Sequence, residues 1–159
     1  MHRHHVQRFG WHLGAALLIA LADIWLKTEV MSFLFSRETS FYPLFNGFNL
    51  HIVWNTGVSF GLFRVAPPAV LLTITGGVVV GLVVWLYRTD KGCERWALSL
   101  IIGGALGNIR DRVLYGAVFD FLDFYVGSYH WPAFNLADSC IVVGVLLLLY
   151  TQLVPKKRV

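Results

Sequence analysis

The sequence predicts an all-α membrane protein with four transmembrane helices and a small β-hairpin on its outer face. Three observations carry that prediction. First, 57% of the 159 residues are hydrophobic and 14% are charged, at a mean hydropathy of +0.63, whereas soluble domains are about a quarter charged. A single soluble domain of this length has no interior able to hide so much apolar surface, and a disordered chain would not carry it. Second, the apolar residues fall into runs long enough to cross a bilayer. Third, the positive charges lie mostly on one side of those runs. The net charge of +4 comes from small basic clusters between apolar runs, which argues against a nucleic-acid partner. Cys93 and Cys140 fit neither a disulfide framework nor a zinc site.

The elements follow in order. Span one covers about residues 9–30 and is interrupted by Asp23 and Lys27. Arg8, the apolar stretch and Ala20-Leu21-Ala22 also resemble a cleavable leader; Asp23 and Lys27 favour the retained helix. The segment of about 45–63 alternates Phe48, Leu50, Ile52 and Trp54 with Asn49, His51 and Val53, a period of two that is imperfect at Val53. Asn55-Thr56-Gly57 has turn chemistry, and Val58–Phe63 is expected to return as the second strand. Pro67-Pro68 marks the start of span two, 69–87, which contains no charge. Span three, 96–112, ends on Arg110-Asp111-Arg112. Span four, 137–154, carries one acid, Asp138, at its start. Gly77-x-x-x-Gly81 and Gly103-x-x-x-Gly107 are expected to pack within the bundle. The whole chain, 1–159, reads as one membrane domain.

Four crossings put both termini on one side. Arg3, Arg8, Arg88, Lys91, Arg95, Lys156, Lys157 and Arg158 share that side, which the positive-inside rule makes cytoplasmic. Trp11, Trp85, Trp96 and Trp131 fall near the expected interfaces.

A charge in hydrocarbon needs a partner or a task. At ~1.5 Å of rise per residue, Asp23 lies ~21 Å across from the inner end of span one and Lys27 ~27 Å. Asn108 lies ~18 Å and Arg112 ~24 Å along span three, while Asp138 enters from outside and is only ~5 Å beyond Asn135. Polar residues of three spans therefore gather at one level, the outer leaflet, and the inner halves stay apolar. Each has a plain structural explanation. Asp23 and Lys27, at i and i+4, can neutralise each other. Asp111, between two arginines, reads as a structural ion pair. Asn135 to Asp138 has the spacing of a capping box. Asp120 and Asp123 can serve loop solubility. His51 and His130 are single and unsupported as metal ligands, and His2, His4 and His5 read as a positive flank.

A sharper reading pairs Asp120 with Asp138. The loop between them can fold back and bring them together. Two close carboxylates do not both ionise cheaply, so the pair holds one proton and titrates as a unit. The ionised member takes a proton from water while the protonated member polarises a carbonyl. That is the aspartic-protease arrangement, and it requires no metal and no cofactor. A transporter would need polar residues along the full depth, and a purely structural subunit would tolerate loss of both acids.

Five blocks carry a family resemblance: Asp23-Ile24-Trp25-Leu26-Lys27; Asn55-Thr56-Gly57-Val58-Ser59-Phe60-Gly61; Gly103 to Asn108 with Asp111-Arg112; Val118-Phe119-Asp120-Phe121; and Phe134-Asn135-Leu136-Ala137-Asp138-Ser139. In this order the sequence resembles the lipoprotein signal peptidases, signal peptidase II. The resemblance implies an intramembrane aspartyl protease of the bacterial inner membrane, with its active site facing the periplasm. The implied substrate is a prolipoprotein whose cysteine carries diacylglycerol, cut just before that cysteine. It further implies contact with membrane lipids, inhibition by globomycin, and an outer β-cradle. By motif position Asp120 and Asp138 are the implied catalytic pair. Asp23, Lys27, Asn55, Gly57, Asn108, Arg112 and Asn135 match the residues around the site. Ile24 and Trp54 depart from the family pattern, where Gln and Arg are common.

Overall fold

The computed structural model describes residues 2–57 and 68–153. In chain order these form α1 (His2–Phe35), β1 (Phe41–Phe45), β2 (Phe48–Asn55), α2 (Pro68–Arg88), α3 (Gly92–Tyr115), β3 (Val118–Val126), β4 (Tyr129–His130) and α4 (Leu136–Leu153). The four helices coincide with the four expected spans, with α1 and α3 running several residues beyond them. Among the described residues, His5–Phe35, Ala69–Arg88 and Leu136–Leu153 are long and apolar enough to cross a membrane. The remaining helix, α3, is long as well, but Glu94, Arg95, Arg110, Asp111 and Arg112 lower its apolar content.

On α1 the buried positions Ala16, Ala20, Asp23, Lys27, Val30 and Leu34 recur every three or four residues and so line one face. That face meets α3, which also packs against α2 and α4 and so holds the bundle together. The bundle is apolar outside and carries buried polar side chains beside its apolar core. Leu18, Leu21, Trp25, Val80 and Leu146 are exposed, while Asp23, Lys27, Asn108, Asp111 and Asn135 are buried. Water would disfavour that distribution; hydrocarbon favours it.

The two small-residue motifs behave differently. A Cβ on Gly103 would lie 2.6 Å from the Ala16 carbonyl oxygen, so α1 and α3 approach closely there. Gly77 and Gly81 have nothing within 4 Å of a Cβ position and face outward, contrary to the expected packing within the bundle. At the other end of the bundle, Arg95 Nε donates to the Thr89 carbonyl at 2.7 Å and Thr89 Oγ1 donates to Glu94 at 2.6 Å. Gln152 of α4 donates to the same glutamate at 3.2 Å, which pins the turn between α2 and α3.

The expected hairpin is part of a four-stranded antiparallel sheet, ordered β1-β2-β3-β4. The partner of β2 is the preceding segment, with Phe41 opposite His51 and Tyr42 opposite Leu50. The proposed returning strand Val58–Phe63 lies outside the described residues. Residues 118–126, expected as loop, form the central strand β3. Phe119 and Phe121 of β3 pack with Val30 and Leu34 of α1 and Leu50 of β2, fixing the sheet to the end of the bundle. Between Leu50 and Val53 the register shifts; β2 carries one residue more than β3 over this stretch, which bends the sheet.

Candidate active site

Four elements deliver polar side chains to one buried cluster at the junction of bundle and sheet. β3 supplies Asp120, the start of α4 supplies Asn135 and Asp138, α3 supplies Asn108 and Asp111, and α1 supplies Asp23 and Lys27. Asn135 is the joint. Its Nδ2 donates to Asp120 Oδ1 at 2.7 Å and to Asn108 Oδ1 at 3.1 Å. Its Oδ1 accepts the Asp138 backbone N–H at 2.9 Å, and its own backbone N–H donates to Asp138 Oδ2 at 3.3 Å. The capping box read from the sequence is therefore formed reciprocally. Because it is formed by Asn135, the cap also fixes the Asp138 carboxyl relative to Asp120. Asn108 Nδ2 donates to the other oxygen, Asp138 Oδ1, at 2.8 Å.

On the far side of Asp120, Asn55 Nδ2 donates to Oδ2 at 3.0 Å. Asn55 is itself held by the turn that follows, where the Gly57 N–H donates to Asn55 Oδ1 at 2.9 Å. Gly57 has φ +85, a conformation that disfavours any side chain, and a Cβ there would come within 2.6 Å of Leu71 on α2. This turn is the point at which the sheet meets α2. Burial pushes the Asp120 carboxyl up from 3.8 to about 6. The Asn55 hydrogen bond opposes that rise, the Asp138 charge adds to it, and the Asn135 bond and the Lys27 charge oppose it.

A second layer supports the first. Lys27 Nζ lies 2.8 Å from Asp23 Oδ2, 2.8 Å from Asp111 Oδ2 and 3.1 Å from Asn108 Oδ1. Asp23 Oδ1 accepts the Ala137 N–H at 2.9 Å, taking one of the unpaired donors in the first turn of α4. A Cβ on Gly107 would sit 2.5 Å from Asp23 Oδ2, so this position must be glycine for the carboxylate to fit. Asp111 Oδ2 also accepts the Phe119 N–H at 3.3 Å, tying α3 to β3 beside Asp120.

The structure thus brings together Asp23, Lys27, Asn55, Gly57, Asn108, Asp120, Asn135 and Asp138. Arg112 joins no hydrogen bond there; its Nε is buried without a partner among the described residues. Sequence reasoning missed Asp111 as a member of the cluster. The available signal was its spacing of three from Asn108, which places both on one face of α3. Asp123 is also more than a surface residue. It is buried, accepts Asn49 Nδ2 at 2.8 Å, and lies 2.8 Å from His130 Nδ1. Burial acts to raise its pKa, but these two bonds outweigh burial and hold the carboxyl below its ordinary value. Among the described residues no group of three or more His, Cys, Asp or Glu side chains is arranged to hold a metal ion.

Residues 15–154 match the family model described as signal peptidase (SPase) II. A lipoprotein signal peptidase of Cupriavidus taiwanensis is 47% identical over 146 residues, covering 89% of this chain and 81% of the relative. A lipoprotein signal peptidase of Burkholderia mallei is 42% identical over 146 residues, covering 89% and 86%. Two solved bacterial membrane enzyme structures, obtained by the in meso method, also resemble the chain. One has a TM-score of 0.72 at 28% identity over 92% of this chain and 94% of that one. The other has 0.75 at 27% identity over 91% and 93%.

Proposed function

This chain belongs to the signal peptidase II family, and from that premise we propose that it removes signal peptides from lipid-modified prolipoproteins by aspartic proteolysis, with Asp120 and Asp138 as the catalytic pair. The observation that carries this reading is the shared contact on Asn135, whose amide and backbone address both carboxyls. Two carboxyls held on a neutral amide share one proton more readily than either ionises beside the other.

In the proposed reaction the ionised carboxylate accepts a proton from water as the water oxygen attacks the carbonyl carbon before the lipid-modified cysteine. The protonated carboxyl donates to the carbonyl oxygen, giving a tetrahedral intermediate. Collapse breaks the C–N bond, the cysteine nitrogen takes up a proton and leaves as the new amine, and the signal peptide leaves as a carboxylic acid. Asn55, Asn108 and Asn135 orient the pair through the bonds given above. Asp23 and Lys27 fix the start of α4, Gly57 fixes Asn55, and Arg112, with its unpartnered Nε, is available to a substrate carbonyl.

The depth of the cluster supports a place for this chemistry at the outer interface, where acyl chains would hold the scissile bond. On this reading α3 is the fourth crossing. Both termini are cytoplasmic, the site faces the periplasm of the bacterial inner membrane, and residues 1–159 act as one domain. The test is a detergent-solubilised assay on a diacylglyceryl-modified precursor, with and without globomycin. Wild type should give a globomycin-sensitive size shift, and Asp120→Asn and Asp138→Asn should insert but give none. Substantial turnover by either variant removes that residue from the pair.

A further inference from the structure

Asp123 is a buried carboxyl that the chemistry above does not use. It lies three positions along β3 from Asp120, an odd step, so the two side chains leave the strand on opposite faces. Asp123 is therefore turned away from the reacting pair. What it does is join three strands. Asn49 of β2 stands directly opposite and its Nδ2 donates to Asp123 Oδ2 at 2.8 Å. His130 of β4 places Nδ1 2.8 Å from Oδ1 and 3.0 Å from Oδ2. A carboxylate only accepts, so Nδ1 carries the proton and donates. The His130 ring also stacks on Tyr125, its partner across the β3–β4 pair, with centroids 5.1 Å apart. Asn49 Oδ1 is buried with no partner among the described residues, so what holds this amide is its other end, the bond to Asp123.

β4 has little else to fasten it. It is two residues long, and the rings at and beside it bury little: Tyr129 is 69% and Trp131 60% exposed. Beyond β4 the chain keeps to β3 by the Trp131 N–H on the Phe124 carbonyl at 2.8 Å and the Phe134 N–H on the Leu122 carbonyl at 3.2 Å. Pro132, between them, has no N–H to give. The next residue is Asn135, whose side chain bonds Asp120 and caps α4. The register of residues 129–134 on β3 thus sets where Asn135, and with it Asp138, stands relative to Asp120. A slip by one residue would move the cap by about 3.3 Å and turn the side chains of the segment over.

We propose that the Asp123–His130 bridge is a positioning device for the candidate catalytic pair: it locks the β4 segment onto β3 and so holds Asn135 and Asp138 in place against Asp120. The inference rests on the peptidase reading of that pair. It adds two positioning residues, Asp123 and His130, on the face of β3 away from the chemistry, with Asn49 as the buried support of the carboxyl.

The test uses His130, whose side chain is 50% exposed, so that its replacement leaves no large buried void. Full-length wild type, His130→Ala, His130→Asn and His130→Gln are assayed in detergent on a diacylglyceryl-modified precursor. The amide nitrogen of asparagine falls near the place of the imidazole Nδ1, that of glutamine near the place of Nε2. In the alanine variant kcat should fall about tenfold to a hundredfold while KM changes by less than about twofold. The asparagine variant should return to within about threefold of wild type, and the glutamine variant should stay low. A loss confined to KM would make His130 a substrate contact and overturn the proposal. Equal kcat in wild type and His130→Ala also overturns it, as does an asparagine variant no better than the glutamine one. Hydrogen exchange supplies a readout independent of activity. The Asp138 N–H, bonded to Asn135 Oδ1, should exchange at least about fivefold faster in His130→Ala than in wild type or His130→Asn; unchanged exchange overturns the proposal. Failure of wild type to cleave the precursor overturns the peptidase reading, whereas the exchange result still decides whether the bridge holds Asn135 and Asp138.

Discussion

Asp120 should make the fold less stable at neutral pH than at mildly acid pH. Burial is the leading cause of the rise from 3.8 to about 6. The folded state therefore binds this proton more tightly than the unfolded chain does. A carboxyl with a raised folded-state pKa contributes stability that is complete below the unfolded value and lost as pH rises through the folded one. The window runs from about 3.8 to about 6. At 1.36 kcal/mol per pH unit, the loss across it is roughly 3 kcal/mol. The assay is unfolding by SDS in mixed micelles, read by tryptophan fluorescence, for wild type and Asp120→Asn between pH 4 and pH 7.5. The other acids titrate in both proteins, including Asp123 and Glu94, whose lowered pKa values tilt stability the opposite way. The difference between the two proteins reports Asp120 together with its coupling to Asp138. Wild-type stability relative to the variant should fall by about 2.4 kcal/mol on going from pH 4 to pH 7, the rest of the loss lying below pH 4. A difference flat to within about 0.5 kcal/mol over that range would falsify the claim that Asp120 holds its proton more tightly in the fold.

Three further outcomes are expected. Asn135→Ala removes a helix cap and a hydrogen bond to a carboxyl, so SDS unfolding should show a loss of about 2–4 kcal/mol and cleavage should be nearly abolished; unchanged stability would deny it the role of joint. Lys27→Met leaves Asp23 and Asp111 buried without their cation, so the same titration should show a loss of about 3–5 kcal/mol, partly recovered in Lys27→Met with Asp111→Asn. Full stability of the single variant would show that the ion pairs are not formed. Dialysis against EDTA should leave cleavage of a diacylglyceryl-modified precursor intact, because the proposed chemistry uses two carboxyls and water; activity lost and then restored by a divalent metal would replace that mechanism.

The helices were legible in the sequence because a lipid-facing helix announces itself by an uninterrupted apolar run, as 69–87 does. The sheet was not. β3 carries acids at 120 and 123, a spacing of three that breaks the period-two signal of a strand. β1 contains Pro43, which lowers the expectation of a strand, yet β1 is an edge strand, where a missing N–H is tolerated. The two acids of the candidate pair stood out by residue type and depth. Their common neighbour Asn135 looked like an ordinary cap, and geometry alone shows that the capping side chain also bonds Asp120. Asp111 was obscured by its sequence neighbours. Arg110 and Arg112 offered the nearest cations along the chain, but the 2.8 Å contact is to Lys27, on another helix.

The four acids of the cluster, Asp138 half-buried and the other three buried, fall into two kinds, and the difference bears on which of them do chemistry. Asp23 and Asp111 each lie 2.8 Å from one ammonium group and each also accept a backbone N–H, from Ala137 and Phe119. Both contacts are to the single Lys27 ammonium, so these two carboxylates serve to tie α1 to α3. Asp120 and Asp138 have no cation within salt-bridge distance among the described residues; their side-chain partners are the neutral amides of Asn55, Asn108 and Asn135. An amide fixes the position of a carboxyl without fixing its charge, since it can offer either its N–H or its carbonyl as the proton moves. The cluster thus separates anchoring from proton transfer. One ion-paired pair of acids locks α1, α3 and the start of α4 together, and the other pair, held by amides, is the one the proposed reaction uses.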